Sequence, residues 1–378
     1  VESERETPPI EINHNNVLWR NLRYALYVSV TLLFFILGIE IIVSSLQNAG
    51  EESINAILRA TSNSFTAFFI GVVVTAMMQS SSTTTAITVA LVASGTIQIH
   101  SGVCIVMGAN LGTTITSMIV SFGFISEKKE FKRAVSASGY HFFFNLFTIL
   151  ILFPLELYNQ FLSRLSLTIT KYFFSNSAPA ALAEGVKAGS LFDPINHLLQ
   201  AVSPVFAVLF GLILIFSSIL FFRRIISSLL KAQSPEAFSR FFFKNRVKSF
   251  IWGIITTAAI RSSTITTSVV IPIVSKRITS LKHASPFILG ANLGTTITAF
   301  FAASLNQSNS NVMSIAMAHF LFNLIGVILF FPFPEIEKVV LFSAKSFAKI
   351  SAAHKFVLLG FILATFFFFP FLMIYITQ

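Results

Sequence analysis

The 378-residue sequence is 54% hydrophobic and only 11% charged, with a mean hydropathy of +0.79, whereas a soluble domain carries charge on roughly a quarter of its residues. This excludes a soluble globular protein and reads as an all-α polytopic membrane protein. The net charge of +11 marks cytoplasmic loops in such a chain rather than a nucleic-acid partner. Cys104 is the only cysteine, so no internal disulfide is available.

The first residues, VESERETPPIEINHNN, are polar and lack the basic-then-apolar plan of a signal peptide. A bilayer core of about 30 Å needs about 20 apolar residues per helix. Seven stretches qualify: 22–46, 101–125, 134–157, 199–222, 284–304, 313–333 and 355–375. Glu40, in LGIEIIVSS, is read as the one carboxylate well inside a crossing. An intramembrane acid is by default a functional candidate, here a possible coupling acid, with a structural ion pair or an interface position as the alternative.

Two further apolar stretches, 65–97 and 249–275, are interrupted by hydroxyl-rich runs. These are Gln79-Ser80-Ser81-Ser82-Thr83-Thr84-Thr85 and Arg261-Ser262-Ser263-Thr264-Ile265-Thr266-Thr267. Arms of 12–14 residues remain, and at 1.5 Å per residue an arm of that length reaches about 20 Å. Each stretch therefore reads as a re-entrant hairpin with its tip near the midplane. Irregular backbone at that depth is tolerated where it lines a cavity.

The sequence GANLGTTIT occurs twice, at 108–116 and 290–298, and each copy begins 29 residues after Gln79 or Arg261. The whole unit thus recurs at an offset of 182 residues. His141-Phe-Phe-Phe-Asn145 and His319-Phe-Leu-Phe-Asn323, each followed by a proline thirteen residues after the His, extend the duplication. Segments 225–245 and 335–353 mix apolar and basic residues as helices on a membrane surface do. With a cytoplasmic N-terminus, 21 of the 26 Lys and Arg fall in cytoplasmic stretches and four on the other side, with Arg261 inside the second hairpin. Three crossings then separate the hairpins, which enter from opposite faces, as broken elements of inverted repeats do in many secondary transporters.

The expected organisation is a polar cytoplasmic N-terminus (1–21), a first repeat (22–175, hairpin 65–97), an external linker (176–198), a second repeat (199–354, hairpin 249–275) and an extra C-terminal helix (355–378). Residues 158–198 are read as the longest outside connection.

The hydroxyls of Ser80, Ser81, Ser82 and Thr83 sit where a half-helix begins, and unpaired N–H groups there favour an anion. A tetrahedral oxyanion suits that array; the alternative is hydroxyls that bond backbone carbonyls and hold helices together. In GANLGTTIT two glycines and an asparagine predict local unwinding that exposes carbonyl oxygens beside Asn110, Thr113 and Thr114, a setting for sodium. The alternative is close helix packing through small residues. His141 and His319 serve either as proton relays or as a structural pair. An intramembrane serine hydrolase, a distant alternative, lacks a nucleophile-elbow pattern.

The paired motifs, Gln79-Ser80-Ser81-Ser82 and Arg261-Ser262-Ser263-Thr264, each followed 30 residues on by Ala-Asn-Leu-Gly-Thr-Thr, resemble the type II sodium/phosphate cotransporter family from about Leu37 to Pro332. The resemblance implies a sodium-driven symporter of inorganic phosphate working by alternating access in the cell membrane, with sodium as coupling ion and no further cofactor. It implies phosphate at Gln79, Ser80, Ser81, Ser82, Thr83, Arg261, Ser262, Ser263 and Thr264. It implies sodium at Gln79, Ser82, Asn110, Thr113, Thr114, Asn292, Thr295 and Thr296. A phosphate exporter or a carrier of another oxyanion on the same fold is the alternative, and monomer and homodimer both stay open. The second hairpin departs from the family pattern, with Arg261 where Gln is usual. Phe142 and Phe320 stand where animal members carry an acid, and the short external loop without a cysteine pair points to a bacterial member. Arg261 is read either as the end of an ion pair or a side chain reaching for the cytoplasm, or as a charge that contacts phosphate or replaces a sodium ion.

Overall fold

The computed structural model describes residues 61–174, 242–304 and 310–377, with scattered residues between 26 and 45 and between 203 and 221. Glu40, the N-terminal segment 1–21, the linker 176–198, and most of the expected elements 22–46, 199–222 and 225–245 lie outside the described residues. Among the described residues every regular element is helical. In the first part these are α1 (Ser64–Met78), α2 (Ser81–Ala93), α3 (Ile99–Gly112), α4 (Thr114–Ser121), α5 (Lys128–Asn159) and α6 (Phe161–Phe174). A short apolar helix, α7 (Val205–Leu214), follows. The second part contains α8 (Arg246–Ile260), α9 (Ser263–Ser275), α10 (Leu281–Ser304), α11 (Ser310–Phe330) and α12 (Pro334–Ala353). The chain ends in α13 (Phe356–Leu363), a π-helical turn at Ala364–Phe368 and α14 (Phe369–Thr377).

Five helical stretches are long and apolar enough to cross a membrane: Ile99–Phe124, Lys128–Asn159, Leu281–Ser304, Asn311–Phe330 and Phe356–Thr377. The last is the least covered by protein, exposing Phe368, Phe371 and Tyr375. The protein is thus an all-α polytopic membrane protein, and the two interrupted stretches are pairs of short helices, α1–α2 and α8–α9, broken at the hydroxyl-rich runs.

The two halves are interleaved. Helix α6 packs on α11 of the second half, and α12 packs on α5 of the first. Likewise α2 packs on α10 and α11, while α9 packs on α4 and α5. Helix α5 links the bases of both helix pairs. Near its start, Arg133 Nε donates to the Ser275 carbonyl at the end of α9 (2.6 Å) and Glu130 pairs with Lys276 (2.8 Å). At its far end Glu156 bonds His100 Nδ1 (2.7 Å), whose Nε2 lies 2.7 Å from Ser64 Oγ at the start of α1. The bases of the two pairs therefore sit at opposite ends of a helix of 32 residues, about 48 Å long at 1.5 Å per residue. The end of α14 joins the base of the first pair, with Thr377 Oγ1 2.7 Å from Thr66 Oγ1.

One expectation is corrected. GANLGTTIT does not unwind: α10 runs unbroken through its copy, and the other copy shows only a change of helix at Thr113, whose backbone stays helical (φ −64°, ψ −21°). The glycines instead let helices touch backbone to backbone. A Cβ on Gly108 would collide with the Phe68 carbonyl oxygen and one on Gly290 with that of Phe250, while Gly71 and Gly253 meet the carbonyls of Ile105 and Phe287 in the same way. Glycine costs a lone helix about 1 kcal/mol relative to alanine; here the cost is offset by contacts that no larger residue permits.

The connection 158–198 begins with α6, an amphipathic helix that buries Ser163, Ser166 and Thr170. A second acid lies at the end of an expected crossing. Glu156, in the stretch 134–157, is 0% exposed. Its carboxylate accepts from His100, from the backbone N–H groups of Leu162 and Ser163, and from Ser163 Oγ, so it closes the start of α6. The buried Glu337 does a related job at the other end of the molecule, pairing with Arg246 at 2.7 Å and accepting from Ser285 Oγ at 2.9 Å.

Candidate functional site

Each hydroxyl-rich run builds the same turn. Gln79 ends α1 and Arg261 ends α8 in the left-handed conformation, with φ 53° and ψ 30° in one and φ 56° and ψ 27° in the other. A residue with a Cβ pays about 1–2 kcal/mol for that backbone, so both copies store strain at the same position, as functional sites often do. The next residue is extended and caps the following helix. Ser80 Oγ accepts from Thr83 N at 3.3 Å and Ser262 Oγ from Ile265 N at 3.4 Å. Ser81, Ser82, Thr83, Ser263 and Thr264 follow in the first turns, all buried, so hydroxyls and helix N-termini gather at both turns.

The two turns meet. Thr264 Oγ1 donates to the Gln79 carbonyl oxygen at 3.0 Å, across 185 residues of chain. Thr113 Oγ1 lies 3.4 Å from the same Thr264 hydroxyl. The Ser263 N–H donates to Thr295 Oγ1 at 3.2 Å. Thr113 and Thr295, one from each GANLGTTIT copy, thus reach the second turn from its two sides. The result is a cluster of neutral oxygen donors and acceptors within a largely apolar bundle. Arg261 supplies a fixed positive charge beside it, its guanidinium 4.2 Å above the ring of Phe301.

Asn110 and Asn292 are held by the opposite repeat. His141 Nε2 lies 2.8 Å from Asn292 Oδ1, and His319 Nε2 lies 3.3 Å from Asn110 Oδ1, which also accepts from Asn323 Nδ2 at 3.1 Å. Each histidine therefore pairs with the asparagine of the other copy. Thr114 and Thr296 turn inward on their own helices, donating to the Leu111 and Leu293 carbonyls at 2.7 Å. The structure so brings Gln79, Ser80 to Thr83 and Ser262 to Thr264 together with Thr113 and Thr295. It sets Asn110 and Asn292 in the His–Asn pairs, while Glu40 lies outside the described residues.

The sequence profile of a family described as Na+/Pi-cotransporter matches residues 34–175 and 213–364, two segments that each contain one hydroxyl-rich run and one GANLGTTIT. The chain belongs to the Na+/Pi-cotransporter family. It is similar to sodium-dependent phosphate transport protein 2A of Rattus norvegicus, at 26% identity over 90% of this chain and 65% of the relative. Against the 2A protein of Oryctolagus cuniculus the identity is 27%, with coverages of 90% and 65%. Against protein 2B of Homo sapiens it is 25%, over 90% of this chain and 63% of that protein. The chain thus spans somewhat less than two thirds of the length of these relatives. No solved structure matches it.

The Na+/Pi-cotransporter family is one of transporters, not enzymes. In this member the Nε2 atoms of His141 and His319 face Asn292 and Asn110 rather than the serines of the turns. Sequence reasoning missed Thr75, which donates to Thr84 Oγ1 at 2.7 Å behind the first turn. It also missed Gly71 and Gly253, the partners of the motif glycines. The offset of 182 residues relates Gly71 to Gly253 and Thr75 to Thr257, so extending the repeat comparison upstream of Gln79 would have found them.

Proposed function

We propose that the chain is a secondary-active carrier that imports inorganic phosphate with sodium, holding both between the two helix-pair tips and working by alternating access. One observation carries this reading: the Thr264 hydroxyl reaches the Gln79 carbonyl, so the tips converge on one site. The names of the relatives supply the solutes, since they are sodium-dependent phosphate transport proteins. The opposite-end placement of the two bases along α5 supports an inverted pair of re-entrant hairpins. The Lys and Arg distribution supports a cytoplasmic N-terminus in the cell membrane.

In this reading the hydroxyls and first-turn N–H groups of Ser80, Ser81, Ser82, Thr83, Ser262, Ser263 and Thr264 receive the phosphate oxygens, assisted by Gln79 and the charge of Arg261. The oxygens of Gln79, Ser82, Thr113, Thr114, Thr295 and Thr296 serve sodium, since hard cations favour oxygen ligands. Asn110 and Asn292, whose side-chain oxygens already accept from the opposite repeat, act on the ion site by positioning the helices that carry those threonines. An inward sodium gradient lowers the free energy of the loaded state on one side only, and exchange of the two repeats' packing exposes the site alternately.

Uptake of labelled phosphate into liposomes containing the purified chain tests this directly. Accumulation above the external concentration only under an inward sodium gradient is the expected result. Uptake indifferent to sodium rejects coupling, and phosphate movement in the outward direction alone replaces import with export. Competition by arsenate and sulfate at equal concentration defines which oxyanion the site prefers.

A further inference from the structure

At the base of the second helix pair, far from the tips, a cavity of about 700 Å³ is lined by Lys129, Lys132, Arg133, Arg277, Lys282 and Lys345. Among the described residues no carboxylate lines it. Glu130, next in sequence, is engaged by Lys276 at 2.8 Å. Among the described residues none of the six cations forms an ion pair, and Arg133 spends its Nε on the Ser275 carbonyl. Thr279 and Ser280 add hydroxyl groups to the wall. Six like charges facing one concavity repel each other, and a low-dielectric wall focuses their field onto whatever enters. A multiply charged anion relieves that repulsion. Arginine forks and lysine ammonium groups beside hydroxyls are the donor set that phosphate oxygens accept.

The neighbouring helix fixes the level of the cavity. Along α12, Val339, Phe342 and Ile350 are exposed beside the basic Lys345 and Lys349, the composition of a helix at the boundary between acyl chains and head groups. Basic pockets at that depth receive phosphate-bearing head groups.

We propose that this cavity is a second anion site, distinct from the tips, for a phosphate group carrying two negative charges. The group is presented by a phosphomonoester phospholipid of the adjoining leaflet, such as phosphatidic acid, or by inorganic phosphate. The ligand bridges the start of α5 from the first repeat with the turn after α9 and α12 from the second.

The test uses the full chain in neutral detergent without sodium. Short-chain phosphatidic acid, matched phosphatidylcholine and inorganic phosphate are titrated separately, and binding is read by calorimetry. The triple variant Lys132→Gln, Arg277→Gln, Lys345→Gln is compared with the unmodified chain after size-exclusion and thermal melting show that it is folded. Phosphatidic acid binding at least tenfold tighter than phosphatidylcholine, and weakened at least tenfold in the variant, supports the lipid source. Inorganic phosphate binding weakened by the same factor supports the soluble source. The proposal is overturned if neither anion binds, or if binding is unchanged in the triple variant but lost in Thr264→Val, which would assign it to the tips. Sodium-driven uptake is not part of the readout, so the result stands apart from the proposed transport.

Discussion

His141 and Asn292 are 151 residues apart in the chain, yet the ring Nε2 of one lies 2.8 Å from the side-chain oxygen of the other. The same relation recurs in exchanged form between His319 and Asn110. Two pairs of helices, each composed of one helix from either repeat, are thereby pinned through buried polar groups. Removing one partner leaves a buried acceptor or donor without its bond, which costs about 1–3 kcal/mol. His141→Ala and Asn292→Ala should each lower the stability of the detergent-solubilised protein by that order, and the double variant should lose less than the sum. Strict additivity in thermal melting would show that the two side chains do not act as a unit.

The motif glycines answer to sterics rather than to chain flexibility. Gly290→Ala places a methyl group against the Phe250 carbonyl, whereas Gly123→Ala finds nothing within 4 Å among the described residues. Overpacking of this kind costs about 1–3 kcal/mol or more. Loss of a monodisperse peak on size exclusion is therefore expected for the first variant and not for the second. Equal behaviour of the two would remove close helix approach as the reason for these glycines.

At the tips, Thr264→Val deletes the hydroxyl that reaches Gln79 while keeping nearly the same shape, and Thr264→Ser keeps the hydroxyl. Loss of a hydrogen bond made in a desolvated site is worth about tenfold or more in binding, at 1.4 kcal/mol per factor of ten. Sodium-dependent phosphate uptake should fall at least tenfold in the valine variant and recover most of its rate in the serine variant. Full activity of Thr264→Val would separate the contact between the tips from transport.

Arg261 occupies the position that Gln79 holds in the other copy, with the same left-handed backbone. If its charge contacts phosphate or replaces a sodium ion, Arg261→Gln should change the steepness of uptake against sodium concentration, or the apparent affinity for phosphate. An unaltered Hill slope together with unaltered affinities for both solutes in proteoliposomes would reduce this side chain to its packing on Phe301.

Much of this was legible in the residues. Hydropathy set the class of protein, because a bilayer imposes its length on every apolar helix. The breaks at Gln79 and Arg261 were also readable, since a hydroxyl-rich run inside an apolar stretch offers a capping residue and little reason to continue the helix. GANLGTTIT was ambiguous for a physical reason: glycine weakens an isolated helix and also permits the closest packing between two. The outcome depends on whether a second helix brings a glycine to the same place, and Gly71 and Gly253 do so. Glu156 was overlooked because its partners, His100, Leu162 and Ser163, come from other helices.

The sequence by itself determined a duplicated, membrane-spanning helical chain and the residues at the two turns, because helix breaking, capping and hydropathy act over a few neighbouring positions. Only the tertiary structure decided that the histidine of one repeat answers the asparagine of the other, and that the tips touch through Thr264 and Gln79. Such pairings join residues more than a hundred positions apart, so their energies depend on how whole helices pack and leave no local mark in the chain.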